Sequence, residues 1–120
     1  MKKCKVRINN YEYKVCIVGP DNDKLIYNDG KYHCGMTHFV QKEIYIANNL
    51  PNETFLNVLI HELIHAYIDS YGMSQVEWNE EIIADFVGTY LLNICETLGE
   101  IQKQLELEER KKCKKKTGKE

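Results

Sequence analysis

The feature that most constrains this chain is an apolar segment, residues 54–71, with charged and imidazole side chains at its centre. Pro51 before the segment and Gly72 after it are typical start and stop signals, so the segment is predicted to form one long helix. Its apolar residues lie on all sides of that helix, which indicates burial. Its centre is interrupted by His61, Glu62 and His65. A buried helix holds such groups only if a partner compensates for their lost hydration.

The five residues His61-Glu62-Leu63-Ile64-His65 follow the pattern H-E-x-x-H. Residues four apart on a helix project from the same face, so the imidazoles of His61 and His65 can converge on one zinc ion. Glu62, next to the first histidine, can take a proton from metal-bound water. The pattern therefore predicts a hydrolase with one Zn²⁺ per chain, His61 and His65 as ligands and Glu62 as the general base.

A second apolar helix is predicted to start near Ser74 or Gln75 and to run to about Gly99, and residues 101–110 are compatible with an exposed helical extension of it. Its first half carries four acidic residues: Glu77, Glu80, Glu81 and Asp85. A carboxylate from this helix would complete three protein ligands and leave the fourth zinc position for water, as in catalytic zinc sites. Asp85 is placed to accept the second N–H of a ligand histidine and to fix its tautomer.

The H-E-x-x-H pattern, followed sixteen residues later by the segment Glu81–Gly88 (EIIADFVG), resembles the gluzincins, a group of zinc metallopeptidases. Within that group the chain is similar to the small ImmA/IrrE-like metallopeptidases of prophages and mobile elements. The resemblance extends over about residues 35–92. It implies a zincin-like fold with His61, His65 and Glu81 as zinc ligands, Glu62 as the general base and Asp85 as the partner of a ligand histidine.

Several assignments within the site stay open at the level of sequence. Glu80 competes with Glu81 as third ligand because Asn79-Glu80 resembles the Asn-Glu pair of thermolysin-like enzymes. That alignment puts Ala84 where the pattern needs aspartate, so Glu81 is preferred. Candidates for stabilising the oxyanion are His33, His38, Tyr71 and Tyr90. The cluster of His33, Cys34 and His38 is interpreted as ordinary loop residues in preference to a second metal site or a thiolate that caps the zinc.

The remaining segments predict an α+β fold. Residues 5–18 alternate apolar and polar side chains around Asn9-Asn10, which favours an N-terminal β-hairpin. Residues 32–47 predict a second pair of strands that reverses at Gln41-Lys42. We expect a small antiparallel or mixed sheet packed on the two central helices. The strand Glu43–Ala47 is predicted to be an exposed edge, where Ile44, Tyr45 and Ile46 would pair with an extended substrate peptide.

Charge is distributed unevenly along the chain. Residues 1–109 hold 9 Lys and Arg against 17 Asp and Glu, whereas residues 110–120 hold 7 against 1. This predicts a single domain over residues 1–110 and a basic, disordered tail over residues 111–120. An acidic body, and a tail without interleaved aromatic residues, both argue against nucleic-acid binding.

Five cysteines without a C-x-x-C pair, and an N-terminus that lacks the apolar run of a signal peptide, favour a reducing cytoplasm. No membrane segment is expected, and the oligomeric state stays open. The sequence thus predicts a cytoplasmic zinc metalloendopeptidase that acts on a protein or peptide substrate. The alternative is a zinc-stabilised interaction module, such as a phage or mobile-element protein that binds a host target without cutting it.

Overall fold

The fold is described from a computed structural model, which covers the backbone of residues 2–117 and the side chains of residues 2–111. Four strands, two helices and one short 3₁₀ turn make up an α+β domain. In chain order they are β1 (Lys2–Ile8), β2 (Tyr11–Val18), the 3₁₀ turn (Asp23–Leu25), β3 (Gly35–His38), β4 (Glu43–Ala47), α1 (Asn52–Ser70) and α2 (Glu80–Thr117). The predicted fold class is confirmed at this level.

The N-terminal hairpin forms as predicted, with β1 antiparallel to β2. Asn9 adopts a positive φ of 57° in the turn, a conformation that asparagine tolerates better than most residues. Its side-chain amide donates a 2.9 Å hydrogen bond to the carbonyl oxygen of Ser70, at the end of α1. The turn residue therefore also attaches the hairpin to the helix that carries the histidines.

The second strand pair also forms, with Lys42 at a positive φ of 57° in the reversal between β3 and β4. The sheet order is β1-β2-β4-β3, in which β4 runs parallel to β2 and antiparallel to β3. The prediction that Glu43–Ala47 is an edge strand is therefore wrong. Ile44, Tyr45 and Ile46 are hydrogen-bonded into the sheet on both sides, and β3 is the edge strand at this end.

The two faces of the sheet have different roles. One face packs on the helices through residues such as Tyr13, Val15 and Ile44, together with Leu59 and Leu63 of α1. The other face is covered by a smaller cluster that is centred on Leu25 and Tyr45. Because side chains alternate along a strand, Gly35 and Thr37 of β3 face α1, whereas Met36 and His38 face away from it.

Helix α2 covers the edge of the sheet that β1 would otherwise expose. The side-chain amide of Gln104 accepts a 3.1 Å hydrogen bond from the N–H of Lys5 and donates a 2.8 Å bond to its carbonyl oxygen. Glu108 accepts a hydrogen bond of 3.2 Å from the N–H of Lys3. These side chains satisfy backbone groups that have no neighbouring strand, which is one way natural proteins protect a sheet edge.

Both helices differ from the predicted bounds. Helix α1 begins at Asn52, two residues before the predicted segment, and α2 begins at Glu80 rather than near Ser74 or Gln75. The second helix continues past Gly99, through the extension compatible with residues 101–110, to Thr117. The disorder of the basic tail stays a prediction. Residues 118–120 of that segment lie outside the described part of the chain.

One helix within the described residues, Glu80–Lys111, is long and apolar enough by length and composition to cross a membrane. Only 17% of its most apolar 18-residue window is buried. Exposed apolar side chains in this part of α2 include Ile83, Val87, Leu91 and Leu92. Length and composition are weak indicators for a single helix, and the compact globular fold is consistent with a soluble protein. The absence of a membrane partner stays a prediction.

Candidate metal centre

Helix α1 places the two histidines of the H-E-x-x-H segment side by side on its surface. The Nε2 atoms of His61 and His65 lie 3.1 Å apart, with a ring-centroid distance of 4.8 Å. Both side chains are exposed, whereas Leu59, Leu63 and Ala66 on the opposite side of the helix are fully buried. The apolar residues thus anchor α1 to the sheet and leave the imidazoles facing a cavity.

The separation of the two nitrogens suits a shared zinc ion. Two ligands at Zn–N distances of about 2.0–2.1 Å in a tetrahedral site lie about 3.3 Å from each other. The observed Nε2–Nε2 distance of 3.1 Å is close to that value. Imidazole nitrogen is also among the commonest zinc ligands. His61 and His65 therefore fit a zinc ion both by chemistry and by spacing.

Glu62 is buried, with 6% of its surface exposed, and its two carboxylate oxygens have different surroundings. Oε1 accepts a 2.7 Å hydrogen bond from the hydroxyl of Thr37 on β3. Oε2 lies 4.0 Å from Nε2 of His61, too far for a direct hydrogen bond. One oxygen is thus fixed by the sheet, and the other lies near the histidine pair, where a base would act.

Gly35 brings β3 close to the carboxylate. A Cβ atom at this position would lie 2.6 Å from Cγ1 of Val58 and 3.1 Å from Cγ of Glu62. Any larger residue would therefore push β3 away from α1 or displace the Glu62 side chain. Gly35 and Thr37, on the same face of one strand, together determine where the carboxylate lies. Neither residue is predictable from sequence as part of the site, because the contact depends on the pairing of β3 with β4.

His61, Glu62 and His65 line a cavity of about 260 Å³ between α1, β3 and the preceding loop. The other lining residues are Tyr27, His33, Gly35, Met36, Thr37 and Phe39. A larger cavity of about 650 Å³ lies elsewhere, between the start of α1 and the C-terminal half of α2. The larger cavity holds none of the residues of the predicted site, so the smaller one is the candidate centre.

The structure does not bring the predicted third ligand to the histidine pair. Glu81 and its competitor Glu80 are exposed in the first turn of α2, and neither lines the cavity. Asp85 is also exposed. Helix α2 approaches α1 instead through Phe86 and Tyr90. Among the described residues, no group of three or more His, Cys, Asp and Glu side chains has an arrangement that would hold a metal.

Of the four oxyanion candidates from the sequence, only His33 lines the cavity. His38 lies on the opposite face of the sheet, where Nε2 is 2.8 Å from the carbonyl oxygen of Lys24 and the ring contacts Tyr45 edge-on. Tyr71 and Tyr90 contact each other with ring centroids 4.4 Å apart, in the aromatic cluster between the helices. Cys34 is exposed and reduced, and it does not line the cavity.

Comparisons with known proteins add no further assignment. No family model, no curated protein and no solved structure matches this chain. The function is therefore inferred from the geometry of the cavity and from the residues that line it.

Proposed function

We propose that this chain is a zinc-dependent peptidase that hydrolyses peptide bonds in a protein or peptide substrate. The observation that supports this proposal most directly is the position of Glu62. Its carboxylate is buried, and Oε1 accepts a hydrogen bond from Thr37. Oε2 lies 4.0 Å from Nε2 of His61, and that nitrogen lies 3.1 Å from Nε2 of His65. A merely structural helix has no need of such a group beside two imidazoles.

In this proposal His61 and His65 hold the zinc, and Glu62 transfers protons. Zinc supplies Lewis acidity, which polarises a carbonyl group and makes a bound water easier to deprotonate. Glu62 accepts the proton of the attacking water through Oε2. It then delivers that proton to the amine nitrogen as the C–N bond breaks, so that the carboxylate is regenerated. Thr37 keeps the carboxylate from turning away between the two transfers.

The outer edge of β3 is the proposed binding site for the substrate backbone. This strand pairs only with β4 in the sheet, and Gly35, Met36 and Thr37 line the cavity. An extended peptide would add to β3 as a further strand, with backbone hydrogen bonds that are independent of its sequence. The opposite edge of the sheet is covered by Gln104 and Glu108, so β3 is the edge that can accept a strand.

The rim of the cavity favours apolar substrate side chains. Tyr27 and Phe39 line it and are 50% and 41% exposed. Val40, next to Phe39 in the turn after β3, is 89% exposed. Exposed aromatic and aliphatic groups at a cavity of this kind are typical of sites that bind an apolar ligand group.

The test compares wild type with Glu62→Gln, a substitution that keeps the side-chain shape and its ability to accept from Thr37. Both proteins are incubated with a mixture of unstructured peptides, and new peptide termini are identified by mass spectrometry. Wild type is expected to generate termini, while Glu62→Gln retains one zinc per chain and generates at least 100-fold fewer. The peptidase proposal would be contradicted if both proteins generated equal numbers of new peptide termini, or if zinc-loaded wild type generated none.

A zinc-stabilised interaction module is the second candidate, and the exposed surface of α2 favours it. Ile83, Leu91 and Leu92 are 50%, 50% and 76% exposed. Apolar groups exposed together often mark a surface that contacts another protein. Under this alternative, wild type and Glu62→Gln bind zinc equally and neither cleaves any peptide. The assay above therefore distinguishes the two candidates.

A cytoplasmic location is part of the proposal and depends on the cysteines. Cys4, Cys16, Cys34 and Cys95 form no disulfide in the structure. Cys4 and Cys16 lie on neighbouring strands, but their side chains belong to the clusters on opposite faces of the sheet, so they cannot pair. Buried, unpaired thiols suit a reducing compartment.

A further inference from the structure

The N-terminal half of α2 is apolar on two faces, and only one of them packs against the rest of the protein. Phe86, Ile94 and Ile101 are buried and belong to the main core cluster. A second apolar face lies beside them, in two rows of residues that are spaced four apart and therefore run along one side of the helix. We call it the outer face of α2. One row is Ile83, Val87, Leu91 and Cys95, and the other is Ala84, Gly88 and Leu92.

The outer face is open in the described part of the chain. All of its residues are exposed. A Cβ atom at Gly88 would meet nothing within 4 Å, so no other described segment approaches the middle of this face. A helix that is apolar on so much of its surface is normally covered, and exposed apolar residues grouped in this way often mark a binding surface.

The charge around the outer face determines which kind of partner fits it. Residues 43–102 hold ten Asp and Glu and no Lys or Arg. Glu81, Asp85 and Glu96 are exposed and lie three or four residues from members of the row that ends at Leu92, so they border the outer face on that side. Exposed carboxylates attract cationic side chains of a partner. The complementary surface is therefore an apolar stripe that is flanked by lysine or arginine.

Three other occupants fit this charge pattern less well. In an antiparallel pair of two copies centred on Leu91, Asp85 of each copy would lie close to Glu96 of the other, and like charges repel. The basic segment of this chain, residues 110–117, has no aliphatic or aromatic residue that could cover the apolar rows. The negative surface of a cytoplasmic membrane leaflet attracts basic helices, whereas this half of α2 carries only acidic charges.

We propose that the outer face of α2 binds a basic amphipathic α-helix of another protein. The apolar stripe of that helix packs on Leu91 and Leu92. Its Lys or Arg side chains lie beside Asp85 and Glu96, while Gly88 leaves room for a large apolar side chain. Amphipathic helices bind other proteins through apolar residues spaced three and four apart. The inference is independent of the metal centre, since no residue of the outer face lines that cavity.

The probe is a synthetic peptide of about 18 residues, or five helical turns, that contains only leucine and lysine. Its leucines are spaced three and four apart, so that it forms a basic amphipathic helix. Fluorescence anisotropy of the labelled peptide measures its affinity for the full-length protein. One control peptide has glutamate in place of every lysine, and the other has the same composition in an order without helical spacing. We expect the probe to bind at least about 10-fold more tightly than either control, with an affinity that falls as salt is added.

Two pairs of variants test whether the peptide occupies the outer face. Leu91→Gln is expected to weaken binding by about 10-fold, because a leucine covered by the peptide is lost. Leu107→Gln is its matched control, since Leu107 is 46% exposed against 50% for Leu91 but lies in the other half of α2. Asp85→Asn is expected to weaken binding by about 2- to 5-fold, the effect of an exposed ion pair. Glu12→Gln, at an exposed carboxylate on β2, is expected to bind like wild type.

Circular dichroism establishes that each variant is folded, and Leu92→Gln, at a 76% exposed position, replaces Leu91→Gln if that variant does not fold. The proposal is overturned if the probe does not bind, if a control peptide binds as tightly, or if Leu91→Gln and Leu107→Gln bind alike. Sedimentation of the protein alone and flotation with phosphatidylserine vesicles test the other occupants. Self-association or vesicle binding that Leu91→Gln abolishes would assign the outer face to a second copy or to a membrane and would equally overturn the proposal.

Discussion

The hydroxyl of Thr37 donates a 2.7 Å hydrogen bond to Oε1 of Glu62, and this bond connects the edge strand of the sheet to the helix that carries the histidines. The carboxylate is 6% exposed, so the hydroxyl replaces much of the water that the charged group loses on folding. The same bond ties the strand proposed to receive a substrate to the residue proposed to act on it.

Replacing Thr37 by valine is expected to lower the free energy of unfolding by about 1–3 kcal/mol, because a buried carboxylate oxygen loses its hydrogen-bond partner. Thr37→Ser keeps the hydroxyl and is expected to retain most of the stability. Urea unfolding monitored by circular dichroism measures both. If Thr37→Val is as stable as wild type, the hydrogen bond has no net effect on folding and cannot be what holds Glu62.

Gly35→Ala is expected to destabilise the protein by about 1–3 kcal/mol, since its Cβ would lie 2.6 Å from Cγ1 of Val58. Adding Val58→Ala in the same chain removes that contact and should make the glycine substitution less costly. Gly88→Ala is the control, because a Cβ there meets no atom within 4 Å and alanine favours the helix by up to about 1 kcal/mol. Equal thermal shifts in the two alanine variants would contradict the close-packing argument.

Gln104→Ala is expected to expose the edge of β1. The two backbone hydrogen bonds to Lys5 are lost, which corresponds to about 1–3 kcal/mol at the net value of a typical hydrogen bond. Faster amide hydrogen exchange at Lys5 is expected as well. Lys103→Ala, on the neighbouring exposed position of α2, serves as the control. Unchanged exchange at Lys5 in Gln104→Ala would show that the side chain does not protect this edge.

The protein is expected to lose stability at alkaline pH because the Cys4 thiol is buried. Burial, followed by the nearby Cys16, raises its pKa from 9.0 to about 12. Below pH 9 the thiol is protonated in both states. As the pH rises from about 9 toward about 12, the unfolded chain releases this proton and the folded chain keeps it, so stability falls by up to about 1.4 kcal/mol per pH unit. Urea unfolding measures the free energy of unfolding at several pH values. Between pH 9 and about 10.5 this free energy should fall less steeply in Cys4→Ala than in Cys95→Ala, the control at an exposed cysteine. Parallel pH dependences would contradict this assignment.

Local patterns predicted much of the fold. The alternation around Asn9-Asn10 identified the hairpin, the reversal at Gln41-Lys42 identified the second strand pair, and Gly72 marked the end of the first helix. These features depend on residues close in sequence. The spacing of His61 and His65 likewise fixes their contact, because both lie on one helix.

Strand order could not be read from the same patterns. Glu43–Ala47 was expected at an edge, whereas β4 lies between β2 and β3. A buried strand and an edge strand of five residues look alike in sequence. They differ in whether one or two neighbouring strands pair with them, and residues far away in the sequence decide this. The contacts of Gly35 and Thr37 with Glu62 follow from this order and were missed for the same reason.

Local sequence patterns also could not predict how the second helix is oriented relative to the first. Glu81 and Asp85 share a spacing that suits the family resemblance, yet their side chains are exposed. The orientation of α2 is set by the packing of Phe86 and Tyr90 against the first helix and by the contacts of Gln104 and Glu108 with β1. Distant contacts along a long helix thus fix the rotation of its first turn.

The amide of Gln104 and the carboxylate of Glu108 have a consequence for self-association. A sheet with two open edges can add copies of itself indefinitely, as growing fibrils do. This sheet can be extended from β3 alone, so pairing of two copies edge to edge would produce one continuous eight-stranded sheet and then stop. Both candidate metal centres would lie along that seam, and a paired copy would occupy the same backbone groups that the proposed peptide substrate needs.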